Sequence, residues 1–336
     1  MTYRPRIALV QGDPTGIGPE LMAKLLALDG IQASARIVIL SDFRVFERGC
    51  DIAQITHSPR VVTRWEEVDL DTAPLTLLDL RTEGVDQLPL AEVSKTGGEA
   101  VLKCYGEGLD ACMDGRVDGL CFMPFNKEAM HSAGLGVEDE TQWARLRTGH
   151  QGRVSEFNVI DGMWNARVTS HVPLKDVTGL LNEDVIVEAV ELAHETLKSA
   201  GFPRPKVAVA ALNPHAGDGG TIGREEIDII RPAVEKAQAK QIACAGPFPS
   251  DTLYLKVRDG EYDCAVSMYH DQGQIALKLL GFKMGVSIHS GLPFPMGTPA
   301  HGTAFDIAGQ NSADIEPARR AFEMVTTMAA SRAAAI

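Results

Sequence analysis

Short apolar runs that read as strands alternate with amphipathic helical stretches along almost the whole chain. This alternation constrains the fold more than any other feature. The runs include RIALV, RIVIL, TLLDL, VDGLCF, ARVTS, KVAVAA, CAVSM and GVSIH, separated by helical stretches such as GGEAVLKCYGEGLDACMDGR, VIVEAVELAHETLKSAG and REEIDIIRPAVEKAQAK. A near-continuous apolar strand has no polar face to turn toward water, so both of its sides must be covered, and helices between successive strands supply the cover. The expected architecture is α/β, a mainly parallel sheet with helices on either side. A chain of 336 residues suffices for one large unit or two closely joined lobes, and no repeat, low-complexity tract or long linker interrupts it.

Composition narrows the partners. A net charge of −13 argues against a general nucleic-acid or anionic-membrane partner, both of which need a basic footprint. No segment offers the ~18 uninterrupted apolar residues that span a bilayer, and MTYRPRIALVQGD has no apolar stretch of signal length, so a cytoplasmic protein is expected. Cys50, Cys104, Cys112, Cys121, Cys244 and Cys264 form no CxxC pair and read as buried, reduced thiols.

Three of the apolar runs close on a histidine: ARVTSH at His171, KVAVAALNPH at His215 and CAVSMYH at His270. Ligands of open parallel α/β sheets gather where strands end. One such histidine is ordinarily a hydrogen-bonded structural residue. Three at equivalent places, with Asp218, Asp251 and Asp271 close in sequence, also suit a divalent metal with one position left open for substrate. From the residues alone both readings stand.

Other stretches carry weaker signals. GDPTGIGPE (12–20) lacks the third glycine of a dinucleotide fingerprint and reads as a tight strand-to-helix turn with Pro19 near the helix start; it leaves Asp13 and Glu20 unexplained. NPHAGDGGTIGREE (213–226) is either a flexible surface loop or a set of backbone N–H groups, at Gly219 and Gly220 among others, that meets an anion or a cofactor phosphate. PFNKEA (124–129) puts Asn126 and Lys127 just past a strand, where a lysine can meet a carboxylate or hydroxyl. In HGTAFDIAGQ (301–310), Thr303 and Asp306 read as helix caps. GxSxG and P-loop patterns are absent, which disfavours a serine hydrolase and a P-loop NTPase.

Taken together, GDPTGIGPE, FNK, SHVPLKD, NPHAGDGGTIGREE, GPFPSDTL, YHDQG and GLPFPMGTPAHGTAFDIAG resemble the 4-hydroxythreonine-4-phosphate dehydrogenase (PdxA) family, in the family's order, over most of the chain. The resemblance implies a three-layer α/β/α, isocitrate/isopropylmalate dehydrogenase-like fold of two lobes with a central cleft. It also implies a homodimer with the active site at the subunit interface. The lobes are expected at 1–130 plus 272–336, and at 131–271, the second carrying the metal ligands and dimer contacts. By the same resemblance His171, His215 and His270 are metal ligands, Asp251 and Asp271 lie near the metal, and Lys278 touches substrate. The general base stays unassigned among Asp251, Asp271 and Lys278. Zinc is the first expectation for the metal, with Mn, Co, Ni or Mg as other candidates. NAD or NADP is expected against Gly12, Asp13, Gly219, Gly220, His301, Gly302, Thr303 and Asp306.

The departures from the family pattern shape the substrate expectation. Where the family carries His-Thr, this chain has Glu140-Thr141; Ser287 stands for an asparagine and Met296 for an arginine. Glu140, Thr141, Lys278, Ser287 and Met296 are thus the expected substrate contacts. Losing a bidentate cation and gaining a carboxylate disfavours a phosphate dianion. The expected reaction is therefore metal-dependent, NAD(P)-linked oxidation and decarboxylation of a non-phosphorylated hydroxy-carboxylate. A cis-dihydrodiol of an aromatic dicarboxylate such as terephthalate is the first choice, with Arg145, Arg147, Lys127 and His289 as possible carboxylate partners. One alternative is 4-hydroxythreonine-4-phosphate dehydrogenase of pyridoxal phosphate synthesis, or a related phosphorylated sugar-acid dehydrogenase. Another is a non-catalytic homologue that binds metal or ligand.

Overall fold

The computed structural model describes residues 3–160, 162–281 and 285–335. Its strands, in chain order, are β1 (Arg6–Val10), β2 (Arg36–Ser41), β3 (Arg60–Val62), β4 (Leu75–Asp79), β5 (Gly119–Phe122), β6 (Ser155–Ile160), β7 (Met163–Arg167), β8 (Val207–Ala210), β9 (Cys244–Phe248), β10 (Cys264–Ser267), β11 (Val286–Ser290) and β12 (Met296–Pro299). The chain divides into two compact units, Met1–Val154 with Val286–Ile336, and Ser155–Gly285. These junctions lie past the expected positions near 130 and 271, for packing reasons. Helix Glu140–Thr148 rests on helix Lys95–Met113 in the first unit, and helix His270–Gly281 rests on β6, β7 and β10 in the second.

In the first unit the strand order is β3-β4-β2-β1-β5-β12-β11, parallel except for the β11–β12 pair. The apolar runs of β1, β2 and β5 are buried on both faces, as their composition requires. Alternation along β5 shows how: Leu120 lies under Gly108 of helix Lys95–Met113, while Gly119 lies under Val325 of the terminal helix Glu316–Ala335. Helix Lys95–Met113 starts where the Ser94 hydroxyl accepts from the Gly97 amide. It then buries Val101, Tyr105, Leu109 and Cys112, spaced three or four apart on one face, with Cys104 beside them. Each large apolar side chain removed from water this way contributes about 1.5–3 kcal/mol.

In the second unit the order is β6-β7-β10-β8-β9, with β6 and β7 antiparallel and the other pairs parallel. Its core joins Ile160, Met163, Ala208, Ala210 and Ala265 to Leu253, Tyr254 and Val257 of helix Ser250–Arg258 and to Leu277. Gly273 approaches β7 so closely that a Cβ there would stand 2.4 Å from the Asn165 side chain, which itself accepts the Tyr254 hydroxyl at 3.0 Å. The strands are thus mainly parallel, as their apolar runs imply, with one antiparallel pair in each unit.

All six cysteines are free and buried, and burial pushes their thiols up, Cys50 and Cys244 to about 11 and Cys264 to about 12. Among the described residues no helix is long and apolar enough to cross a membrane.

Candidate functional site

In the second unit β7, β10, β8 and β9 are successive neighbours and all parallel, so their carboxyl ends share one edge of the sheet. Each strand delivers one expected residue to that edge. His171 follows β7, His270 opens the helix after β10, His215 follows β8, and Asp251 lies in the first turn of the helix after β9. The topology explains why three separated apolar runs all close on a histidine.

The His171 and His270 rings stand 5.4 Å apart between centroids. Metal–nitrogen bonds of ~2.0–2.1 Å bring the rings of two ligating histidines to about this separation. Asp271 holds His270 through Nδ1 at 2.7 Å, so a metal here would be met by Nε2. A carboxylate behind an imidazole is the usual way to orient a metal-binding histidine and raise its basicity. The pair suits two ligands of a divalent ion, but among the described residues His171, His215 and His270 do not all lie within 4.8 Å of one another. Asp251, Asp271 and Lys278 are all solvent-exposed, and Lys278 follows Asp271 by two helical turns, on the same helix face.

His215 sits in an unusual segment. His215, Ala216, Gly217, Asp218 and Gly219 all have positive φ, between 43° and 77°. For the three non-glycine residues this left-handed backbone costs roughly 1–2 kcal/mol each, and such strain persists only where surroundings impose it. The buried Glu226 anchors the residues leading into this segment and lies against Gly217. Its Oε1 accepts the amides of Leu212 at 2.8 Å and Asn213 at 2.6 Å, and its Oε2 accepts Asn213 Nδ2 at 2.9 Å. Gly219 faces open space, whereas Gly220 has the Ile227 side chain close by.

A second brace is Gln272. Its Oε1 accepts the Met268 amide at 2.7 Å, and its Nε2 donates to the Ala211 carbonyl at 2.7 Å and to Ser250 Oγ at 2.8 Å. One side chain thereby links the ends of β10 and β8 to the start of helix Ser250–Arg258. Sequence reasoning passed over both braces. Gln272 lies in YHDQG beside more reactive neighbours, and Glu226 offers only a carboxylate on a helical pattern.

In the first unit the carboxyl ends of β1, β5 and β12 share an edge as well, and three of the motifs interlock there. The Asp13 amide donates to the Pro124 carbonyl at 2.9 Å and the Ile17 amide to the Thr303 carbonyl at 3.0 Å. A Cβ on Gly12 would strike Met123 and Pro124, and one on Gly16 would strike Thr303. Those glycines are filled against by the chain itself. Asp13 is buried, and burial pushes its carboxyl up despite hydrogen bonds from the Thr15 amide and hydroxyl. Gly12 and Asp13 therefore shape this turn from inside. Thr303 is also buried, while Gly302 and Asp306 are exposed and His301 is half-buried with Nδ1 3.0 Å from the Gly302 carbonyl. Glu20 also has a purpose: its Oε1 ties down the Ala313 amide and Lys24.

The expected substrate contacts of the first unit lie around helix Glu140–Thr148, whose N-cap is Asp139. Asn126 caps the preceding helix, and Lys127 places Nζ 3.7 Å from Glu140 Oε2. Thr141 and His289 are buried and meet at 2.6 Å, Oγ1 to Nδ1. Ser287 is buried on β11 opposite Thr298. Met296 is wholly buried in the core, its sulfur accepting from the Tyr105 hydroxyl at 3.2 Å, so it serves packing here and offers no wall to a ring. Arg147 is taken up by Asp110 in a two-pronged ion pair.

Comparison with known proteins follows from this geometry. The family model for pyridoxal phosphate biosynthetic protein PdxA matches residues 33–325. A Pseudomonas aeruginosa protein, provisionally a 4-hydroxythreonine-4-phosphate dehydrogenase, is 46% identical over 98% of both chains. The D-threonate 4-phosphate dehydrogenase of Cupriavidus necator is 35% identical over 97% of this chain and 99% of its own. The crystal structure of 4-hydroxythreonine-4-phosphate dehydrogenase from Klebsiella pneumoniae superposes with a TM-score of 0.84 at 32% identity, covering 98% of this chain and 99% of that one. Terephthalate 1,2-cis-dihydrodiol dehydrogenase from Burkholderia xenovorans aligns less well, at a TM-score of 0.70 and 27% identity over 97% of this chain and 98% of that one.

These relationships overturn the expected dihydrodiol substrate, because the more similar relatives are named for phosphorylated hydroxy acids. The structure supplies a reason why the charge argument misled. Glu140 faces Lys127, so the gained carboxylate is not an uncompensated charge. With the family model spanning most of its length, the chain is a member of the PdxA family.

Proposed function

We propose that this protein is an NAD(P)-dependent, divalent-metal-dependent dehydrogenase of a phosphorylated hydroxy acid of the 4-hydroxythreonine 4-phosphate or D-threonate 4-phosphate type. The observation that carries the reading is the His171–His270 pair with Asp271 behind it, set at the carboxyl edge of parallel strands in a chain of this family. His171, His215 and His270 would hold the metal, whose chemistry when bound is to polarise the substrate hydroxyl. NAD(P), when bound, would supply the acceptor for the hydride on the hydroxyl-bearing carbon. Asp271 and Lys278 stand exposed on the helix that His270 opens, and Asp251 on the helix after β9, where an exposed group can take up the hydroxyl proton. In both acids that hydroxyl lies β to a carboxylate, so oxidation gives a β-keto acid, which loses carbon dioxide readily. Gln272 and Glu226 keep the loops in place during this sequence.

We also infer a homodimer through the second unit. Helix His270–Gly281 leaves Ile275 and Leu279, one turn apart, exposed to 59% and 83%, and Leu174 and Leu180 of helix Leu174–Leu180 are exposed too. Large apolar side chains exposed one turn apart on a helix suit an interface.

The test is reduction of NAD⁺ or NADP⁺ by metal-stripped protein with each phosphorylated acid, before and after addition of Zn²⁺ or Mn²⁺. Turnover restored by metal supports the reading. Turnover indifferent to metal, or absent with both acids, removes it.

A further inference from the structure

Behind Thr141, on the ribbon formed by β11 and β12, lies a buried polar group that the proposed reaction does not use. His289 is 2% exposed, pairs across the ribbon with Met296, and packs against the Phe122 ring at 5.3 Å between centroids. Its Nδ1 meets Thr141 Oγ1 at 2.6 Å, while its buried Nε2 has no hydrogen-bond partner.

Two proton placements satisfy that contact. With the proton on Nε2, Nδ1 accepts from the threonine, which spends the hydroxyl hydrogen and buries an N–H that meets no acceptor. With the proton on Nδ1, the imidazole donates to Oγ1 and only a lone pair is left unmatched. Buried donors without acceptors are rarer than under-used acceptors, so the second placement is favoured. It leaves the Thr141 hydroxyl hydrogen uncommitted. Thr141 lies in the first turn of helix Glu140–Thr148, at the end whose dipole favours negative charge, next to the Lys127–Glu140 pair.

We propose that His289 is a positioning residue: carrying its proton on Nδ1, it donates to Thr141 Oγ1 and so turns the threonine hydroxyl into a donor for an oxyanion of the substrate. The inference rests on the phosphorylated-acid reading for the identity of that substrate, but not for the hydrogen-bond arrangement. The oxyanion belongs to the phosphate or to the carboxylate, and the chemistry at Thr141 is the same for both.

The test uses the zinc-loaded, full-length protein labelled with ¹⁵N-histidine, with His289→Asn identifying the His289 signals by their loss. A neutral Nδ1–H tautomer is expected, with the His289 signals shifting on titration with inorganic phosphate or with unphosphorylated threonate. The arm that shifts them names the source of the oxyanion. An Nε2–H tautomer, or no shift in either arm, overturns the proposal. In steady-state kinetics on whichever phosphorylated acid is turned over, His289→Phe is expected to raise KM about tenfold with kcat within about twofold, the scale of one oriented hydrogen bond. His289→Asn, whose amide can donate from a similar place, should recover most of that loss. Equal losses in kcat for both variants would mean a merely structural histidine. If neither acid is turned over, the functional reading fails while the tautomer and the titrations still decide this inference; they also decide it should His289→Phe not fold.

Discussion

Lys127 Nζ stands 3.7 Å from Glu140 Oε2 at the start of helix Glu140–Thr148. Lysine and glutamate there form a nearly neutral pair, in the place where a lone carboxylate would repel a dianion. Because Lys127 is half-exposed, the pair is worth at most about 1 kcal/mol. We expect Lys127→Met to raise KM for the phosphorylated acid about two- to fivefold, since Glu140 is then uncompensated. Glu140→Gln should leave KM unchanged or slightly lower. A gain of more than about tenfold for Glu140→Gln would instead mean that the carboxylate acts as an unbalanced repulsive group.

Gln272 joins three chain ends through one side chain, and its loss leaves the Met268 amide without its partner and the Ala211 carbonyl with Ser250 Oγ as its remaining side-chain donor. Gln272→Leu should cost about 1–3 kcal/mol of stability in urea unfolding. It should also weaken metal binding, because His270 and the loop carrying His215 both leave from the braced ends. Unfolding and calorimetric zinc titration of the same variant separate the two effects. Unchanged zinc affinity would show that the brace serves stability alone.

Much of this architecture was legible in the chain. The apolar runs of β1, β2, β5, β8 and β10 declare a doubly covered sheet, and the histidines after β7, β8 and β10 mark one edge of it. Strands β9 and β12 were not legible, since CAGPF and MGTP carry the glycine and proline that ordinarily argue against a strand. β6 was missed because SEFNVI mixes polar and apolar residues. Met296 was misread for a different reason. An apolar residue at a family arginine position suggests an apolar pocket, yet its sulfur lies in the core beneath Tyr105. Sequence identifies a residue's chemistry, but only packing says whether its side chain faces a ligand or the interior.

Glu226 gives a pH signature. Burial alone would push its carboxyl up, but hydrogen bonds from the Asn213 side chain and from the Asn213 and Leu212 amides outweigh burial and hold it below the ordinary range. A group whose native pKa is depressed adds stability that is fully present above its unfolded value and is lost as the pH falls through the native one. Glu226→Gln should therefore cost about 1.5–3 kcal/mol near neutrality, with the gap to the parent protein closing as acid protonates Glu226. Denaturation across a pH series reads this out. A gap that stays constant with pH would exclude the ionised carboxylate as the source.

The exposed Ile275 and Leu279 predict an assembly state. If they face a second copy of the chain, Leu279→Glu should shift sedimentation from dimer toward monomer, since an unpaired carboxylate in an apolar interface is costly. A parent protein that sediments as a monomer at all concentrations would contradict the inferred dimer.

The central claim is that the substrate carries a phosphate despite Glu140, Ser287 and Met296. Its most direct test is the ratio of kcat/KM for D-threonate 4-phosphate, or 4-hydroxythreonine 4-phosphate, to that for the same acid without phosphate. Charge-assisted contacts to a phosphate of about 1.5–3 kcal/mol each should make this ratio at least about a hundredfold when two or more are present. A ratio near one, or one favouring the unphosphorylated acid, would contradict the account.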